Sequence, residues 1–127
     1  MTIMPTNSNW YEKELIEEFT TIINHSFPQV GQLLKRCHVK LIQSFWGQQS
    51  LHFLPYIAIY CPNEIIAAVK AQISVFREVA KYVGVVEVVC LNATFLLHDP
   101  MSKIKQDNPR LWLELYWIVT QEKGQVV

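Results

Sequence analysis

Leu15, Ile16, Phe19, Ile22 and Ile23 recur at helical spacing, with Glu12, Lys13, Glu14, Glu17 and Glu18 at the positions between them. This pattern predicts an amphipathic helix over residues 10–25. Asn9 and Glu12 have the spacing of a capping box, and the acidic first turns suit the helix dipole. Ser26-Phe27-Pro28 ends this helix, and Pro28 is placed to open a second one. Val30, Leu33, Leu34 and Cys37 extend a helical stripe over 29–37. Over 38–46 two periods compete. Val39, Leu41 and Phe45 fit alternate positions of a strand, while Leu41, Phe45 and a closing Gly47 continue the helix. The segment stays open between the two, leaning towards helix.

Gly47-Gln48-Gln49-Ser50 reads as a turn. Tyr56-Ile57-Ala58-Ile59-Tyr60 is a short apolar run of strand type, with Pro55 marking its start. Asn63 then has the chemistry of an N-cap, with Glu64 in the first turn. Ile65, Ile66, Val69, Ile73, Phe76, Ala80 and Val83 form one apolar face, predicting a long helix over 64–83 that Gly84 ends. Residues 85–98 alternate and predict one long strand, bulged at Asn92. A polar, proline-containing loop follows over 99–109. Residues 111–120 are dense in Trp, Tyr, Leu and β-branched side chains and predict a second strand.

These elements predict one α+β domain over 1–127, with 1–8 frayed and 121–127 a polar tail. It would hold two N-terminal helices, a long central helix packed with them on one face, and a small antiparallel sheet. The sheet would end in a long aromatic-rich hairpin of strands 85–98 and 111–120.

Composition narrows the function. Eleven basic residues balance eleven acidic ones, so no net positive field exists to hold phosphates. Half the residues are hydrophobic and 17% charged, which excludes a disordered chain. Cys37, Cys61 and Cys90 form no C-x-x-C pair, and the expectation is a reduced, cytoplasmic protein. Residues 1–9 carry neither basic charge nor an apolar run, and no segment has the length of a membrane span. An apolar chain of zero net charge favours association, so a homo-oligomer or a protein partner is expected.

Candidate chemistry is sparse. Cys61 sits at a strand-to-helix junction, where a thiol can be activated, but no second cysteine or histidine is near it in sequence. His98-Asp99 closes the predicted long strand and has the residue types of a base and its carboxylate. The four histidines show no metal spacing, and no glycine-rich phosphate loop occurs, so neither metal nor cofactor is expected. Lys103, Lys105 and Arg110 place charge on the predicted hairpin loop, and Lys70, Arg77 and Lys81 share one side of the central helix. The segment 111–120 is the most unusual. Trp112, Tyr116 and Ile118 line one face of it and Leu111, Leu113, Leu115 and Trp117 the other, so one apolar face needs cover. Trp112, Tyr116 and Ile118, with Lys103, Lys105 and Arg110, are the predicted partner-binding residues.

The run Ile57-Ala58-Ile59-Tyr60-Cys61-Pro62-Asn63-Glu64, its amphipathic helix and the strand Val85–Val89 resemble part of the small N-terminal domain of bacterial replication initiators. The likeness stops at Val89, and it implies an interaction module linked to replication. The reading that unites these features is a small non-enzymatic interaction or regulatory module. It would self-associate or dock a partner through the aromatic segment. Two alternatives are a nucleic-acid-associated module using the basic loop, and a small enzyme or ligand-binding α+β cup.

Overall fold

The computed structural model describes residues 8–43 and 55–124. The predicted frayed segment through residue 7, the end of the open segment at 44–46, the turn at 47–50 and the last three residues lie outside these. The element order is α1 (Ser8–Ser26), α2 (Pro28–Leu34), β1 (His38–Ile42), β2 (Tyr56–Cys61), α3 (Ile66–Lys70), α4 (Ile73–Tyr82), β3 (Val88–Asn92), α5 (Ala93–His98), α6 (Ile104–Asp107) and α7 (Pro109–Gly124). The fold is mixed α and β, as the sequence pattern predicts.

The sheet has the order β1-β2-β3. β1 runs antiparallel to β2, with His38 opposite Tyr60 and Leu41 opposite Ile57. β2 runs parallel to β3, with Ile59 beside Cys90 and Cys61 beside Asn92. The sheet is therefore mixed, not antiparallel throughout. The parallel pair follows from the helical crossover between β2 and β3, which returns the chain to its starting end.

Strand alternation divides the interior in two. Leu41, Ile57, Ile59, Cys61 and Val88 point to one face and meet Leu15, Phe19 and Ile23 of α1, Val30 and Leu34 of α2, Val69 of α3, and Phe76 and Val79 of α4. Phe19 and Phe76 close this core with ring centroids 6.4 Å apart. Ala58 and Tyr60 point to the other face and pack with Ala93 of α5 and Leu115 and Ile118 of α7. Helices thus cover both faces, where the sequence pattern predicts only one.

Four local expectations change. α1 begins at Ser8, so Asn9 lies inside it rather than before it. Residues 38–42 are strand, each paired with a residue of β2, and alternation turns Leu41 inward to the core. The helix predicted over 64–83 is two helices, separated at Ala71 and Gln72 with neither glycine nor proline to mark the break. The strand predicted over 85–98 stops at Asn92, whose side-chain oxygen accepts the Phe95 amide at 2.9 Å and starts α5.

The largest correction concerns 111–120, which is helix and not the second arm of a hairpin. Asn108 Oδ1 accepts the Leu111 amide at 3.2 Å, and Pro109 supplies a fixed φ for the first turn. Leu111, Leu115 and Ile118 then share one helical face. Burial of that face against the sheet outweighs the strand preference of its aromatic residues. The predicted polar tail is helical as far as Gly124.

Candidate functional site

α7 carries apolar residues on two faces. Leu115 is fully buried and Ile118 nearly so. On the outer face Leu113, Tyr116 and Trp117 are 59%, 50% and 61% exposed. They are spaced three and four residues apart, so they form one stripe. Trp112 lies half-buried at its margin and stacks on Tyr116, with centroids 5.3 Å apart and planes 15° from parallel. Lys105 Nζ stands 4.8 Å from the centroid of the Trp112 ring. Ring stacking and the cation fix Trp112 and Tyr116 in place without covering Trp117.

The predicted partner-binding residues therefore separate. Tyr116 and the edge of Trp112 belong to the stripe, whereas Ile118 faces the sheet and is unavailable to a partner. Leu113 and Trp117 take its place, because helical spacing joins positions that strand alternation sets apart. Lys103 and Lys105 flank the start of α6 and line a shallow hollow with Trp112. Lys103 adopts a left-handed backbone conformation there, at φ 54°. Arg110 faces a different cleft, so the three cations do not form one patch. Nor do they sit on a hairpin loop.

That second cleft, of about 420 Å³, runs between α1, β1 and the first turns of α7. His38 Nδ1 donates to Glu114 Oε1 at 3.1 Å, and the imidazole packs against the Tyr60 ring at 5.9 Å. Burial holds the His38 pKa below its ordinary value, against the opposing pull of Glu114, and Lys40 adds to the depression. Gln43 Nε2, just past β1, donates to Glu12 Oε2 of α1 at 3.0 Å and joins the two. Sequence spacing gives no sign of His38 and Glu114 as neighbours. Their meeting depends on α7 being a helix laid along the sheet.

His98 and Asp99 act locally. His98 Nδ1 lies 2.8 Å from the Thr94 carbonyl one turn back, and Asp99 Oδ1 accepts the Met101 amide at 3.0 Å. The pair closes α5 and forms the following turn, and Asp99 borders the hollow lined by Lys103, Lys105 and Trp112. Asn63 does not cap a helix. It accepts from Asn92 Nδ2 at 2.9 Å and donates its amide to Thr94 Oγ1 at 3.0 Å, tying the ends of the two parallel strands together. Lys70 sits on α3 and Arg77 on α4, where Arg77 Nε lies 3.8 Å from Glu87. Cys61 is buried at the end of β2, where its Sγ donates to the Ile59 carbonyl at 3.5 Å, and Cys37 and Cys90 pack against the same core, so it is not the isolated thiol that its sequence neighbours imply.

Among the described residues, no group of three or more His, Cys, Asp or Glu side chains is arranged to hold a metal ion. Among the same residues, no helix is long and apolar enough to cross a membrane. Comparison with protein-family models, with curated proteins and with solved structures finds no match.

Proposed function

We propose that this protein is a non-enzymatic interaction module that self-associates through the outer face of α7. The carrying observation is the stripe of Leu113, Tyr116 and Trp117, exposed on a helix whose opposite face completes the core. Tryptophan and tyrosine are the side chains that most often dominate binding energy at protein interfaces. A second copy is the occupant favoured by charge, since eleven basic and eleven acidic residues leave two copies without net repulsion. A two-fold arrangement would set each stripe against its own counterpart, which requires no other complementary surface.

The test is light scattering coupled to size exclusion, over about 5 to 100 µM protein. A dimer is expected at the upper end, and Tyr116→Ser with Trp117→Ser should return it to monomer with unchanged far-UV circular dichroism. A monomer throughout that range rejects self-association. Co-purifying nucleic acid, seen as excess absorbance at 260 nm, would instead favour the module using Lys103, Lys105 and Arg110.

The cleft at His38 supports a second reading, a ligand-binding cup. Its volume is that of a small-molecule site, and cations and carboxylates of α1, β1 and α7 face it together. His38 supplies a built-in reporter, because an occupant of the cleft would shift its titration.

A further inference from the structure

The cleft at His38 has a strand edge for its floor. Four consecutive residues of β1, His38 to Leu41, line it. Side chains along a strand alternate between the two faces of the sheet. His38 and Lys40 stand opposite Tyr60 and Ala58 and share the α7 side, while Val39 and Leu41 stand opposite Ile59 and Ile57 and share the α1 side. One cleft can touch all four only along the outer edge of the strand. β1 is an outer strand of the sheet, so that edge carries no further strand among the described residues. Every second residue of an antiparallel pair directs its N–H and C=O away from its partner. Among the described residues, no backbone hydrogen bond reaches those groups from outside the sheet.

The walls are helical. Glu12, Ile16 and Glu17 of α1 line one side, and Arg110, Leu111 and Glu114 of α7 the other. An exposed backbone edge is the feature that receives an added strand, and pockets beside it sort the side chains of that strand. We propose, resting on the ligand-site reading of this cleft, that it binds an extended peptide segment of a partner protein. The segment pairs along β1, and its side chains alternate basic towards α1 and acidic towards α7.

The charges select that alternation. On the α1 side Glu12 and Glu17 outnumber Lys13. The Gln43 amide holds Glu12 in place without neutralising it. On the α7 side Lys40 and Arg110 outnumber Glu114. The cleft as a whole is balanced, so a uniformly acidic or uniformly basic partner gains nothing from it. A strand presents successive side chains to opposite walls, so one set meets the acidic wall and the other the basic wall. Ile16 and Leu111 add an apolar contact on each side. The five residues of β1 extend over about 17 Å, which sets the paired length of the segment at five or six residues.

The probe is the blocked hexapeptide Lys-Glu-Val-Leu-Lys-Glu, added to the isotope-labelled full chain at up to about 1 mM and followed by NMR. It should shift the His38 imidazole and slow amide exchange at alternate residues of β1 roughly tenfold. The isomer Lys-Lys-Val-Leu-Glu-Glu, which sets both signs against each wall, should bind roughly tenfold more weakly. N-methylation of one alternate set of peptide amides should abolish binding, and of the other set should leave it intact. Glu17→Lys, at an exposed position of α1, should weaken binding several-fold without changing the fold. Equal tolerance of both N-methylated sets, or a His38 shift without alternating protection of β1, overturns the added strand and leaves the cleft a site for some other ligand. Equal affinity for the two isomers overturns the charge alternation. Slowed β1 exchange on concentrating the protein alone seats a second copy on this edge and overturns the peptide. No response to the hexapeptide overturns it as well. A set of small-molecule fragments then decides the wider ligand-site reading, which falls only if they too leave His38 unmoved.

Discussion

The two faces of the sheet are built to different standards. On one, α1 to α4 enclose β2 in large side chains: Phe19, Ile23, Ile57, Ile59, Val69 and Phe76 are all fully buried. On the other, the sheet offers Ala58 and Tyr60, and its fully or nearly buried helical partners are Ala93, Leu115 and Ile118. The first layer is closed by packing. The second holds α7 by fewer large contacts and leaves Leu113, Tyr116 and Trp117 outside. A layer with apolar side chains on both sides of its main helix is half core and half exposed apolar surface, and that exposed half is what the proposed interaction rests on.

The sharpest test of this contrast removes one large residue from each face. Phe76→Ala should cost about 3–5 kcal/mol and accelerate hydrogen exchange across α1, α4 and the sheet together. Leu115→Ala should cost about 2–4 kcal/mol, with exchange accelerated mainly in α5 and α7. Equal acceleration everywhere in both variants would mean that the layers unfold as one unit and would remove the distinction.

A smaller effect tests how tightly the first layer is assembled. Gly31 is buried in α2 where a Cβ would meet the side chain and Cα of Asn24 on α1. The exposed Asn24 side chain can swing away, but its backbone cannot, so Gly31→Ala should cost about 1–2 kcal/mol in chemical denaturation. A neutral or stabilising result would show that α2 has room to move from α1.

The smallest effect belongs to the second layer. Burial lowers the folded-state pKa of His38 from its ordinary value of 6.5, while unfolding restores it. The unfolded chain then binds more protons below pH 6.5, so this contribution is complete above that pH and is lost as pH falls through the folded pKa. Glu114→Gln removes the opposing pull and should lower the His38 pKa further, read from its imidazole proton resonances. His38→Gln should flatten the pH dependence of stability in this window. A His38 pKa at or above 6.5 would contradict the desolvated geometry of the cleft.

The first layer was far more legible in the sequence than the second, for reasons visible in particular residues. α1 and α2 follow from one-sided apolar stripes and from Pro28, and β2 from its unbroken apolar run. Those signals are local. The segment Leu111 to Thr120 misleads because its apolar residues serve two functions, so alternation and helical spacing fit equally well. Asn108-Pro109 was the signal that separates them, as a cap followed by a first-turn proline. Asn92 gave the same kind of signal and reads as a bulge only if strand alternation is trusted through Ala93. The cysteine cluster and the His38–Glu114 contact had no sequence sign, because both depend on strand register and on where a helix lies.

The central place of β2 also sets an order in time. Ala58 and Tyr60 face α7, yet α7 is synthesised only after the partners of Ile57 and Ile59 are all available. During translation at about 5–20 residues per second, the chain therefore passes through an interval of seconds in which one side of its sheet is finished and the other is bare. A nascent chain in that interval presents β2 to the cell, and chaperone dependence should concentrate there.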